Sequence, residues 1–119
     1  MRGCFDTGSA NAWILSSYCT DFRCTPNSPN YYYTPEDSST FVSTNIYREI
    51  EFGSGILSGF FGFDDFRLGP NDDDVHIVGQ TLGLMIEEGV LDDDYDAIIG
   101  LAYPTMADVG WPVFDSMIN

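Results

Sequence analysis

Residues 47 to 52 alternate strictly: Arg48, Ile50 and Phe52 share one face of the chain, and Tyr47, Glu49 and Glu51 share the other. A period of two fits an extended strand and no helix. Gly53-Ser54-Gly55 then turns the chain, and residues 56 to 68 form a second strand-like run interrupted by Gly59 and Gly62. The pair reads as a long β-hairpin whose glycines permit the turn, a bend and close backbone approach. A hairpin of this length needs further strands to cover it. The rest of the chain supplies them: residues 10 to 15, 41 to 52, 75 to 87 and the apolar run Ile98-Ile99-Gly100 are rich in aromatic and β-branched residues. Residues 16 to 40 read largely as loop, with Pro26, Pro29 and Pro35. The fold class is therefore all-β. One short helix closes the chain, with Pro112 at its first position and Val113, Phe114 and Met117 expected on one apolar face.

A chain of 119 residues suits one domain with a real core, and an apolar share of 44% is that of a globular protein. No apolar run approaches the roughly 20 residues of a membrane helix. Nineteen acidic residues against four arginines give a net charge of -15, which argues against nucleic-acid or anionic-membrane partners. Asp72-Asp73-Asp74 and Asp92-Asp93-Asp94 lack the spaced ligands and turn glycine of a calcium loop and read as solvated surface. Low pH would relieve the self-repulsion of such a chain. His76 is the only histidine, so multi-histidine zinc sites are excluded and a structural strand position is expected for it. No glycine-rich segment carries the spacing and lysine of a phosphate-binding loop.

The chemistry-bearing stretch is Phe5-Asp6-Thr7-Gly8-Ser9-Ala10-Asn11-Ala12-Trp13-Ile14, an acidic residue in a tight polar turn between apolar runs. It resembles the active-site segment of the pepsin-like aspartic peptidases. Four further segments resemble that family in the same order: Tyr18-Cys19 through Cys24 its small disulfide loop, Thr34-Pro35-Glu36-Asp37-Ser38-Ser39-Thr40-Phe41 its Pro and Ser-Ser-Thr segment, Ile50 to Gly55 its flap, and Tyr95-Asp96-Ala97-Ile98-Ile99-Gly100-Leu101-Ala102-Tyr103-Pro104 the last. The resemblance implies the N-terminal lobe of a double-barrel fold, with residues 1 to 119 forming one lobe incomplete at both ends. It also implies a Cys19–Cys24 bridge with Cys4 left free, hence an oxidising compartment: the secretory pathway, outside the cell or an acidic, lysosome- or vacuole-like compartment.

Aspartic peptidases need two carboxylates close enough to share one proton, one acting as base on a bound water while the other donates to the substrate carbonyl. Two like charges at that distance cannot both ionise. By resemblance Asp6 is one of them, held by the Gly8 amide and the Thr7 and Ser9 hydroxyls, with Trp13 in support and neither metal nor cofactor needed. No second Asp-Thr-Gly or Asp-Ser-Gly occurs in the chain. A C-terminal lobe or a second copy of the chain would supply the partner; Leu101-Ala102-Tyr103-Pro104 after Gly100 resembles the two-lobed family rather than the homodimeric retroviral enzymes. A peptide substrate would lie beneath the flap, Phe52, Gly53, Ser54 and Gly55, with apolar pockets formed in part by Trp13, Ile14, Phe52 and Phe60. Phe52 departs from the family, which usually has Tyr there; the missing hydroxyl removes a hydrogen bond worth on the order of 1 kcal/mol, so flap closure should weaken. The alternative is a non-catalytic member of the fold that binds peptides or another protein.

Overall fold

The computed structural model describes residues 2–19, 32–52, 55–69, 74–88 and 96–118. Among these, six strands form one mixed sheet: β1 (Gly3–Asp6), β2 (Ala12–Leu15), β3 (Val42–Phe52), β4 (Gly55–Leu68), β5 (Val75–Glu88) and β6 (Ala97–Gly100), in the order β1-β6-β2-β5-β4-β3. The fold is the expected all-β lobe, with a single short α-helix among the described residues, α1 (Val113–Ile118). Two 3-10 turns, Pro35–Asp37 and Pro104–Met106, begin at prolines whose fixed φ suits a helical first position.

β3 and β4 are the expected hairpin, antiparallel from Val42↔Phe63 to Phe52↔Gly55. β4 runs unbroken through its glycines because one of them is required there: a Cβ on Gly59 would lie 1.9 Å from the Leu84 carbonyl oxygen of β5. The stretch from 75 to 87 lies in one continuous strand, bulged against β4 near Ser58/Gly59 and Asp64/Phe66. Bulges let a long strand twist and bend without ending.

The core lies on both faces of the sheet. β2 sits in its middle, parallel to β5 on one side and antiparallel to β6 on the other, and all four of its residues are buried. Strand alternation sends Ala12 and Ile14 to a cluster with Leu82, Leu84, Ile99 and Val113, and sends Trp13 and Leu15 to a second with Leu57, Phe61, Met85 and Ile98. Trp13 meets Phe61 edge-on, ring centroids 4.9 Å apart. Burying each such side chain contributes about 1.5–3 kcal/mol.

The helix departs from expectation. Val113 is 2% exposed, but Phe114 and Met117 are 54% and 42% exposed. Six residues make fewer than two turns, and α1 packs mainly on β5, with only Val113 buried. His76 sits in β5 with its Nε2 3.7 Å from Asp65, both half-exposed, in keeping with a surface strand position.

Asp64, buried in β4, pins the 33–40 segment to the sheet. Its carboxylate accepts hydrogen bonds from Ser38 Oγ at 2.6 Å, from the Thr40 and Tyr33 hydroxyls, and from the Asp65 N–H at 2.7 Å. Burial pushes its pKa up, but the Ser38, Thr40, Tyr33 and Asp65 donors outweigh burial and hold it down, from 3.8 to about 2. The folded state thus binds this proton more weakly than the unfolded state. The resulting stabilisation, about 2 kcal/mol, is fully present above the unfolded value and is lost as pH falls through about 2. Asp64→Asn is expected to lower the unfolding free energy by about that amount near neutral pH, read as a lower denaturant midpoint, and to make no difference at the acid extreme. An unchanged midpoint near neutrality would contradict this role.

Candidate active site

β1 ends at Asp6, directly beside Gly100 at the end of the parallel strand β6. The chain then turns through Thr7 and Gly8. Within that turn the Gly8 N–H donates to Asp6 Oδ1 at 3.0 Å and the Ser9 hydroxyl donates to Asp6 Oδ2 at 2.7 Å. Each carboxylate oxygen therefore has a donor from its own loop. Thr7 differs from expectation: it is exposed, and among the described residues its hydroxyl does not bond Asp6. The two donors are Gly8 and Ser9, two and three residues beyond the aspartate, where the turn brings the backbone round.

A second segment laces this loop down. Leu101 N–H donates to Asp6 O at 2.8 Å, Ala102 N–H to Ser9 O at 2.9 Å, and Gly100 N–H to Asn11 O at 3.1 Å. Such close approach has a steric requirement. A Cβ at Gly100 would lie 2.4 Å from the Ala10 carbonyl carbon and 2.5 Å from Ser9 O, both backbone atoms that cannot swing aside.

Beside Asp6 opens a cleft of about 170 Å3 whose lining includes Gly8, Ser9, Trp13 and Ile50. The motif loop, β2 and the hairpin thus converge on one hollow. Trp13 is 1% exposed and is held from behind by the Phe61 ring, so this wall is rigid. Two residues expected in the substrate pockets lie elsewhere. Ile14 follows Trp13 in an extended strand and so points to the opposite face, lining a separate hollow with Tyr33, Leu82 and Ile99. Phe60 stands on the outer face of the hairpin, edge-on to Tyr47 at 5.5 Å and 39% exposed. The backbone of Phe52 pairs with Gly55 at the hairpin's end. Gly53 and Ser54, together with the Phe52 side chain, lie outside the described residues. So does Cys24, and with it the expected Cys19–Cys24 bridge; Cys19 itself is buried in the Trp13 cluster, and Cys4 is a half-buried free thiol.

Asn11 was not singled out in the sequence. It is 3% exposed, donates Nδ2–H to Val109 O at 2.7 Å and accepts the Asp108 N–H on Oδ1 at 2.7 Å. It clamps the 108–109 loop to the motif loop. The available signal was an asparagine between two alanines in a buried run, a polar group that must find partners.

Comparison with known proteins places these features in context. A family model described as eukaryotic aspartyl protease matches residues 2–119. Similar curated proteins include pepsin-3 of Oryctolagus cuniculus, 38% identical over 119 residues and covering 97% of this chain and 29% of that protein. Cathepsin E of Aquarana catesbeiana is 38% identical over 118 residues, covering 96% and 28%. Aspartic protease 3 of Toxoplasma gondii is 36% identical over 126 residues, covering 97% and 18%. The chain spans less than a third of the length of each.

Proposed function

Because this chain belongs to the eukaryotic aspartyl protease family, we propose that it is one lobe of an aspartic endopeptidase, with Asp6 as one of two catalytic carboxylates and the other supplied by a C-terminal lobe. The observation that carries the reading is the Asp6 carboxylate, held by the Gly8 amide at 3.0 Å and the Ser9 hydroxyl at 2.7 Å on the edge of a cleft. An ionised carboxylate offers about four acceptor sites. Two are occupied by the loop, which leaves others for a water and for the proton shared with a facing aspartate.

In this mechanism the ionised member of the pair removes a proton from the water, which attacks the scissile carbonyl carbon. The protonated member donates to the carbonyl oxygen, and the pair titrates as a unit. Thr7, Gly8, Ser9 and Trp13 shape the loop and its wall. The substrate lies as an extended strand beneath residues 52 to 55, held by main-chain hydrogen bonds. A Cys19–Cys24 bridge and the charge of -15 fit an oxidising, acidic compartment of the secretory or lysosome-like kind.

The sequence of the complete polypeptide tests the proposal. A second Asp-Thr-Gly or Asp-Ser-Gly downstream is expected; a full-length protein lacking one could bind peptides but could not assemble the dyad.

A further inference from the structure

The turn that carries Met106 is anchored at both ends by the loop that carries Asp6. At one end the Ala102 N–H donates to Ser9 O at 2.9 Å. At the other, Asn11 donates Nδ2–H to Val109 O and accepts the Asp108 N–H on Oδ1, both at 2.7 Å. Between these anchors the 3-10 turn Pro104–Met106 is closed by its own bonds, Met106 N–H to Tyr103 O and Ala107 N–H to Pro104 O. Met106, 58% exposed, reaches the cleft from this turn, and Asn11 lines the same cleft from the motif loop. The Asp6 carboxylate does not depend on Asn11, since its loop donors are the Gly8 N–H and the Ser9 hydroxyl.

We propose that Asn11 is a positioning residue for substrate selection: it fixes where the Met106 wall stands relative to the Asp6 carboxylate, and so decides which side chain fits the cleft while the scissile bond lies at Asp6. This rests on the endopeptidase reading of the site. At about 170 Å3 the cleft is smaller than the roughly 300 Å3 at which drug-sized ligand sites begin, so it takes one side chain and its dimensions matter. A wall anchored only at Ala102 would yield to side chains of different size. The second anchor needs a donor and an acceptor presented together to adjacent backbone groups. Among side chains of this length only an amide or a protonated carboxyl offers both. The motif loop thus holds the carboxylate through Gly8 and Ser9 and the wall through Ser9 and Asn11, which separates chemistry from selection by residue.

The test uses the complete polypeptide and one peptide scanned position by position with norleucine or alanine. Cleavage is read as kcat and KM, and binding of the same peptides is read in parallel in the full-length Asp6→Asn background. At the position that enters the cleft, norleucine is expected to exceed alanine about tenfold in kcat/KM. In Asn11→Ala that ratio should fall to about two or below, through KM, with kcat for the alanine peptide within about twofold of wild type. Asn11→Asp should match Asn11→Ala above the ordinary carboxylate range and recover the wild-type ratio as pH falls, when the protonated carboxyl again donates to Val109 O and accepts from Asp108 N–H. Both peptides meet the same catalytic pair and the same Asp108, so the titration of those groups cancels from the ratio. An undiminished ratio in Asn11→Ala, equal losses on both peptides, no recovery of Asn11→Asp in acid, or Asn11 variants that do not fold would each overturn the positioning role. Absence of any cleavage while norleucine-selective, Asn11-dependent binding persists sinks the endopeptidase reading and upholds the positioning role.

Discussion

Asp6→Asn in the complete polypeptide is expected to lower peptide hydrolysis by roughly a hundred- to ten-thousandfold or more, with the lobe still folded. Chemistry and structure separate at this residue. The asparagine carbonyl oxygen can still accept the Gly8 N–H now found at 3.0 Å, and the Ser9 hydroxyl, now 2.7 Å from Oδ2, can rotate to accept from the amide instead of donating. The backbone bond from Leu101 N–H to Asp6 O at 2.8 Å does not involve the side chain at all. What asparagine cannot do is hold a negative charge or share a proton with a facing carboxylate. The expected signature is therefore an unchanged melting profile with activity lost mainly in kcat. Retention of more than a tenth of the wild-type rate would mean that Asp6 is a turn residue and that the chemistry lies elsewhere.

Gly100→Ala should have the largest effect on stability, about 3 kcal/mol or more, with activity falling alongside. The added methyl would lie 2.4 Å from the Ala10 carbonyl carbon and 2.5 Å from Ser9 O. Neither is the end of a flexible side chain. Relief requires β6 and the motif loop to separate, which would lengthen the bonds from Gly100 N–H to Asn11 O, now 3.1 Å, and from Ala102 N–H to Ser9 O, now 2.9 Å. Those bonds orient Ser9, and Ser9 holds Asp6, so a strained strand end becomes a misplaced carboxylate. Denaturant titration and kcat/KM measured on the same preparation should both move. A Gly100→Ala protein with wild-type stability would show that the two segments are less tightly packed than the structure has them.

The hairpin was legible because its signal is local: the alternation from Tyr47 to Glu51 and the glycines at its turn fix both strands without reference to anything distant. The motif and its family resemblance were legible for the same reason. The parallel pairing of Asp6 with Gly100 joins strands at opposite ends of the chain and leaves no mark on local periodicity; only Gly100 itself, ending a buried apolar run, pointed to close backbone packing beside the active-site loop. Nor could the sequence say which of Trp13 and Ile14 faces the cleft. β2 is covered on both sides, both residues are apolar, and only the register with β5 and β6 assigns them. The Asp64 cradle draws its donors from Tyr33, Ser38 and Thr40, and Asn11 finds its partners in the 108–109 loop; hydrogen-bond partners so far apart follow from the fold and cannot be counted in advance. Helix α1 shows the converse, since the spacing of Val113, Phe114 and Met117 gave an apolar face that fewer than two turns do not bury.

In the proposed mechanism this chain supplies half of a catalytic site. Peptide hydrolysis measured across the acidic to neutral range, for the purified 119-residue chain and for the same chain within its complete polypeptide, tests it most directly. Hydrolysis only by the complete polypeptide is the predicted result; robust hydrolysis by the 119-residue chain alone would contradict it.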